Sequence, residues 1–476
     1  LWGIVCFSLL GRGGVTVDFI RVRLPVNLNL AGIFHSKPVI DRAAWLLSHI
    51  LEKQAHFSFE KGWARVSAGT IRSICGDSKY QHLIISALKK HQVLQCDENY
   101  VAGVKTKGYR INFECFGDFH EKMTLREKRR RARAVTYDIT VPTVIKTHQR
   151  LEAEVWGKER VRWTPFHRKI LDNLQLVSLD RFEAEKYLEY CLGNPDEMSS
   201  EAANIMGLQI DQILSEQARK VTVSKTGRVY TPFCRLKSWL RRCMKFKGKH
   251  CISHDIRACQ PTLLAALMVG MASGNAGFLS DKGLRSRQKM LGIEMSGLKN
   301  VTITPEAAGR FKRHVEQHDI YQTVIDALKS RGHVRRREDI KRSFMRDIFA
   351  KKTSYMSVEE DCFGTLFPEV HEQIKAINKV DYRSLINVMQ FLESEIVIHN
   401  VLRRVHDDGC RGYFTVHDSI YVNPDYSQLV LRHFDEVSDE IGVKLKIDVS
   451  GDIRENRWEA SEELNDTQDF MMEMGI

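Results

Sequence analysis

The stretch that decides the fold is Tyr413-Phe414-Thr415-Val416-His417-Asp418-Ser419-Ile420-Tyr421-Val422. β-branched and aromatic residues stand on both sides of His417-Asp418, so the run predicts two short strands meeting at a tight turn. A carboxylate held rigidly at such a turn, among apolar neighbours, calls for a cation to neutralise it. A second aspartate of this kind lies upstream. Asp255 comes near the end of the strand-like Cys251-Ile252-Ser253-His254-Asp255-Ile256, ahead of the apolar helical run Pro261-Thr262-Leu263-Leu264-Ala265-Ala266-Leu267. Two rigid carboxylates delivered from separate strands suit a pair of magnesium ions set between an attacking hydroxyl and a nucleoside triphosphate. Either aspartate taken alone reads equally well as an ordinary turn or capping residue.

The 476-residue chain is long enough for two or three domains with sizeable cores. Its net charge of +12 points to a polyanionic partner, nucleic acid first and an anionic membrane surface second. No apolar run approaches the length of a spanning helix. The opening Leu1 to Leu10 is apolar but short, lacks a basic leading segment and runs into Gly11-Arg12-Gly13-Gly14. It reads as a non-Met start translated literally, not as a signal peptide. The eleven cysteines form no Cys-x-x-Cys pair, which favours reduced, mostly buried thiols in a cytoplasmic setting over a structural zinc site.

Four segments are expected. A short N-terminal segment, 1–39, precedes a winged-helix-like module at 40–118. A basic linker and helical, thumb-like region follows at 119–220, and the remainder, 221–476, carries the strand-borne aspartates. Within the module, Ile40 to Gln54 places Ala44, Leu47, Ile50 and Leu51 on one helical face. Ser67 caps a short helix closed by Gly76, and Ser78 caps a longer one reaching Lys90. Asn99 to Gly103 facing Gly108 to Phe113 predicts a hairpin with Lys105 and Lys107 at its tip. Three helices and a basic wing resemble a winged helix-turn-helix, a module that contacts either a duplex or another protein. The run Arg126-Glu127-Lys128-Arg129-Arg130-Arg131-Ala132-Arg133 is a solvated helix face or a phosphate contact.

Arg337 and Lys341 are four residues apart, and Phe349 is eight beyond Lys341. On one α-helix these three share a face, offering two cations to a triphosphate and a ring to a base and sugar. The alternative is a basic surface helix whose Phe349 packs into the core. Taken with the two aspartates, this segment resembles a known superfamily. Asp255 with Gln260-Pro261 is similar to motif A of the palm polymerases, which include family A DNA polymerases and phage-type single-subunit RNA polymerases. Arg337 to Phe349 resembles motif B of the fingers helix, with Ala350 where the family has glycine. Val416-His417-Asp418 is similar to motif C. Lesser similarities fall in the same order: Thr226-Gly227-Arg228 resembles a segment touching primer–template, and Asp319-Ile320-Tyr321 one preceding motif B. Met389-Gln390 looks like the segment before motif C, and Gly442 to Asp448 with Gly451 and Trp458 like the last palm strand and its tail. The resemblance spans about Val221 to Trp458.

The resemblance implies a mixed α/β (α+β) right-hand polymerase with an antiparallel palm sheet and helical fingers and thumb. Its palm strands are expected at Cys251–Ile256, around Asp418 and at Val443–Val449. It implies that Asp255 and Asp418, with the carbonyl of Ile256, hold two Mg²⁺, Mn²⁺ being the substitute. Arg337 and Lys341 would grip the triphosphate, Lys341 would protonate the leaving group, and Phe349 would stack near the incoming base and sugar. Arg228, Gln390 and His417 would meet the primer–template. The implied partners are a DNA template and primer and nucleoside triphosphates, with no membrane.

The sugar preference turns on Gln260, five residues after Asp255, where the DNA polymerases carry a glutamate that fills the space of a 2′-hydroxyl. Glutamine is nearly as bulky, and Phe349 lacks the hydroxyl with which the RNA polymerases favour ribose. His417-Asp418-Ser419, by contrast, is the RNA-polymerase form of motif C. A steric clash acts on substrate choice directly, so the expectation is a DNA-directed DNA polymerase of a plasmid, phage or similar element. The alternatives are a single-subunit RNA polymerase or primase and, from another class, a non-catalytic replication-initiation DNA-binding protein.

Overall fold

The computed structural model describes residues 5–10, 16–25, 27–56, 63–97, 106–112, 134–160, 162–193, 206–207, 209–210, 213–214, 221–236, 238–274, 282–300, 302–351 and 354–450. The described residues mix helices with small antiparallel sheets, and their buried apolar side chains gather into two clusters. One runs from Ile20 to Ile145 and the other from Phe166 to Leu445.

The N-terminal cluster corrects the expected boundaries. The strand Thr16–Pro25 pairs antiparallel with Ala134–Ile139, Ile20 opposite Ile139 and Leu24 opposite Val135. Residues before 40 and after 118 therefore share one core with the helices between them. Asp41, fully buried on the helix Lys37–His56, fastens this closure. Its carboxylate accepts hydrogen bonds from the Tyr137 hydroxyl (2.7 Å) and from the backbone N–H groups of Thr140 and Val141 (3.0 Å each). Those two donors lie between the strand's end at Ile139 and the start of the helix Pro142–Arg160, so Asp41 ties the two elements to its own helix.

Between these strands the described elements run helix, helix, strand, helix, helix, strand, strand. Ser67 caps Ala68–Cys75 by accepting from Thr70 N–H (3.0 Å), and Gly76 ends that helix at φ +99°. The cap of Ser78–Lys90 is Asp77, one residue before the expected Ser78, accepting from Tyr80 N–H at 2.8 Å. The strands Ala64–Arg65, Gly108–Ile111 and Leu94–Asp97 form a sheet with Gly108–Ile111 at its centre. The first strand of the hairpin thus precedes Asn99 to Gly103. That segment, Lys105 and the Arg126–Arg133 run lie outside the described residues, as do Gly451 and Trp458.

The region expected as a separate thumb belongs in part to the larger core. Helices Pro165–Leu174 and Arg181–Gly193 bury Phe166, Ile170, Leu174, Tyr187 and Leu188 there, and the strand Val177–Leu179 pairs with Met244–Phe246. One close approach fixes the join. Gly412 donates its N–H to Asn173 (2.8 Å) at φ +74°, and a Cβ there would lie 1.9 Å from the Phe246 ring. Only glycine fits that backbone.

The central sheet is antiparallel and four-stranded. Ile252–Ile256 lies between Ser419–Val422 and Ile447–Ser450, and Phe414–Val416 forms the outer edge. Its register sets Asp255 opposite Ser419 on one side and Asp448 on the other. Alternation then sends His254 to the opposite face, where Nε2 meets the Ser427 hydroxyl of the helix Ser427–Ile441 at 2.9 Å. The apolar helix Cys259–Ala272, buried from Pro261 to Met268, starts where the Asp255 strand ends.

Candidate active site

The Val416–Ser419 pair leaves a two-residue turn, His417-Asp418, between the hairpin strands. His417 takes φ +56°, a left-handed backbone that His, Asn and Asp tolerate better than β-branched residues. Its ring meets Tyr230 edge-on at 5.4 Å. Burial, with Arg228 and Arg241 nearby, pushes the imidazole down to about 4, so it is neutral at pH 7.

The turn delivers Asp418 beside Asp255: the Asp418 carbonyl accepts from Ile256 N–H (3.4 Å), and the Ser419 hydroxyl donates to the Asp255 carboxylate. Burial pushes the Asp418 carboxyl up to about 8, and the charges of Asp255 and Glu393 add to the rise. Burial also raises Asp255. The Ser419 hydrogen bond opposes that rise, Asp448 adds to it, and Arg241 and Lys341 pull the other way. Two half-buried carboxylates are thus pressed together without an ion pair of their own among the described residues. Such a pair fits a divalent cation, which favours the ionised form of both. Among the described residues no group of three His, Cys, Asp or Glu side chains has a metal-holding arrangement, so water and substrate oxygens would complete the shell. Asp448 is not free for this role, because the Arg257 guanidinium spans both its oxygens.

The cations expected opposite the aspartates form one unit around Tyr321. Asp319 caps the helix Ile320–Ser330 through Tyr321 N–H (3.0 Å), and its other oxygen takes Arg337 at 2.6 Å. The Arg337 guanidinium lies 5.1 Å from the Tyr321 ring centroid and the Lys341 ammonium 5.8 Å. Lys341 is exposed and makes no ion pair with a described carboxylate. Phe349 is a correction. The α-helix Arg337–Ser343 gives way to π-helical turns over Phe344–Phe349, so the spacing of eight no longer returns to the Lys341 face. Phe349 is 0% exposed, packs edge-on against Phe344 at 5.5 Å, and offers no free ring face to a base.

Thr226-Gly227-Arg228 sits on the helix Ser384–Ser394. Ser394 donates to the Thr226 carbonyl (3.3 Å), and the Thr226 hydroxyl reaches Gln390 at 3.4 Å. Gly227 takes φ +78°, strained for any other residue, and a Cβ there would lie 2.7 Å from Ser394 Oγ and force it to move. Arg228 turns inward to Glu393 (2.5 Å), and Gln260 Nε2 donates to the same carboxylate oxygen at 2.5 Å. The site therefore unites Asp255, Gln260, Arg228, Gln390, His417 and Asp418, with Lys341 near Asp255, Arg337 beside Lys341 at Tyr321, and Phe349 withdrawn. Sequence reasoning missed Glu393, which is 2% exposed. The available signal was an acidic residue inside the apolar run from Leu385 to Ile398, where a charge survives only with a partner. It also missed Arg241, which donates to the Tyr421 hydroxyl (2.8 Å) beside Asp255.

No family model matches this chain, and no curated protein does. Among solved structures it is similar to the POL domain of Pol1 from M. smegmatis, a complex with DNA primer-template and dNTP. The identity is 14% and the TM-score 0.25, over 56% of this chain and 55% of that one, so the chain spans about half the length of the structure it matches.

Proposed function

We propose that the chain is a template-directed nucleotidyltransferase that uses two divalent cations, and that its reaction is DNA-directed DNA synthesis, in the setting of a plasmid, phage or similar element. The observation that carries this reading is the Asp255–Asp418 pair, two half-buried carboxylates from a strand and the adjoining hairpin turn, with Lys341 near Asp255 and Arg337 beside Lys341 at Tyr321.

Asp255 and Asp418, with the Ile256 carbonyl, would hold two Mg²⁺ or Mn²⁺. When bound, the ions supply a lower pKa at the primer 3′-hydroxyl and neutralise the triphosphate. In the reaction the 3′-oxygen bonds to the α-phosphorus, and the bond to pyrophosphate breaks. Lys341 and Arg337 grip the β- and γ-phosphates. Asp319 keeps the guanidinium aimed, while the Lys341 ammonium, with no ion pair to a described carboxylate, can give a proton to the departing pyrophosphate. Arg228, Gln390 and His417 line the approach from the Thr226 side, where the primer–template would lie. His417, neutral at pH 7, contributes hydrogen bonding and shape there and no charge.

Discrimination against ribose rests on Gln260, since Phe349 is enclosed. That burial, with Ser419 after the motif C aspartate, favours one second reading: a single-subunit RNA polymerase or primase. The N-terminal module would hold duplex or template through Lys89, Lys90, Lys105, Lys107 and the Arg129–Arg133 run. Extension of a labelled primer on DNA and on RNA templates, with deoxy- and ribonucleotides offered separately, separates the readings. DNA-templated deoxynucleotide addition supports the first. A ribonucleotide preference supports the second, and no addition under any pairing favours a non-catalytic DNA-binding role.

A further inference from the structure

Gln260 is the second residue of the helix Cys259–Ala272 and has three rotatable side-chain bonds. A side chain that excludes a 2′-hydroxyl by contact has to be held in one conformation, because a free amide would swing aside. Glu393 supplies that restraint from the facing helix Ser384–Ser394. Its Oε2 accepts from Gln260 Nε2 at 2.5 Å and from Arg228 Nη2 at 2.5 Å, and the Cys259 thiol reaches it at 3.9 Å.

The chemistry dictates the amide's orientation. Burial raises the Glu393 carboxyl, while the charge of Arg228 and the hydrogen bonds from Arg228 and Gln260 favour its ionised form; as the acceptor of both, it takes the NH₂ end of Gln260 and leaves the carbonyl end turned away. Arg228 offsets part of the charge that Glu393 places beside Asp418. Gln260 Oε1, Glu393 Oε1 and Arg228 Nε are all enclosed without a hydrogen-bond partner among the described residues. A cluster that leaves three polar atoms unmet is poorly justified as packing alone.

We propose that Glu393 is the positioning residue of the sugar gate: it fixes the Gln260 amide under the incoming nucleotide and so sets the preference for deoxyribose. The inference rests on the polymerase reading and on Gln260 as the gate. Arg228 shares the same carboxylate oxygen, so Glu393 also couples the gate to the side from which the primer–template approaches.

The test compares kcat/KM for one deoxynucleotide with that for the matching ribonucleotide in wild type, Gln260→Ala, Glu393→Ala, Glu393→Gln and the Gln260→Ala/Glu393→Ala double variant. Gln260→Ala should lower the deoxy-to-ribo ratio by roughly tenfold or more. Glu393→Ala should lower it to about the same level, and the double variant no further, because both act through one side chain. Glu393→Gln keeps an acceptor but loses the charge that fixes the amide's direction, so its ratio should fall by a smaller factor, about threefold. Should Glu393→Ala fail to fold, the Glu393→Gln ratio decides alone. A Glu393 that only supports the fold would slow both nucleotides equally. An unchanged ratio in the Glu393 variants, beside a lowered one in Gln260→Ala, overturns the positioning role and leaves the gate standing. An unchanged ratio in Gln260→Ala overturns the gate and the positioning role together.

Discussion

Replacing Asp418 with asparagine should stabilise the metal-free protein at alkaline pH while removing its activity. The Asp418 carboxyl is pushed from an ordinary 3.8 up to about 8 by burial and by the charges of Asp255 and Glu393. A group whose folded pKa lies above its unfolded value adds stability that is complete below the unfolded pKa. That stability is lost as pH rises through the folded pKa. The loss from Asp418 should thus develop between about pH 4 and pH 8. A shift of about four units at ~1.36 kcal/mol each sets a ceiling of roughly 5–6 kcal/mol. The side chain keeps part of its surface open and Asp255 shares the proton, so about 1–3 kcal/mol is expected. Asparagine keeps the shape without the charge. Thermal melts in a chelator should therefore show Asp418→Asn melting about 2–5 °C above wild type at pH 8 and level with it at pH 4. The difference between the two proteins is the readout, because other carboxylates titrate in both. Adding Mg²⁺ should raise the wild-type melting temperature and not the variant's. A variant that melts at or below wild type at pH 8 in chelator would refute the account of two carboxylates pressed together.

Three further outcomes follow from the site and the cores. Lys341→Ala should lower kcat/KM for nucleotide addition by about 10²-fold, with melting unchanged, because the exposed ammonium makes no ion pair with a described carboxylate. Phe349→Ala should cost about 3–5 kcal/mol in a denaturant titration, as expected of a ring with no exposed surface. A selective rise in nucleotide KM at unchanged stability would restore the ring to the binding site. Removing residues 1–160 takes out the whole N-terminal core and should weaken DNA binding and flatten its salt dependence. Equal binding by the truncated chain at every salt concentration would assign that module to a protein partner.

What the sequence disclosed was local. The alternation around His417-Asp418 and ahead of Asp255 placed both carboxylates at strand ends, and cross-strand register then brought them together. Asp319-Ile320-Tyr321 and Arg337 were separate matches, and their joining through a cap and an ion pair required the folded chain. Phe349 was misplaced because a spacing of eight presumes an unbroken α-helix, and the π-helical turns after Ser343 rotate the ring inward. The N-terminal boundaries failed for a different reason. Thr16–Pro25 and Ala134–Ile139 pair across more than a hundred residues, and no local pattern announces such a contact. Glu393 carried a signal in its surroundings, although its partners Arg228 and Gln260 lie on other elements.

The most direct test of the central claim is a time course of labelled-primer extension with Mg²⁺ for wild type, Asp255→Asn and Asp418→Asn, with primer–template binding measured alongside. The account predicts template-dictated extension by wild type and a loss of about a thousandfold or more in each variant, with binding retained. Extension that survives in either variant, or a wild-type protein that binds primer–template yet adds neither deoxy- nor ribonucleotides, would contradict it.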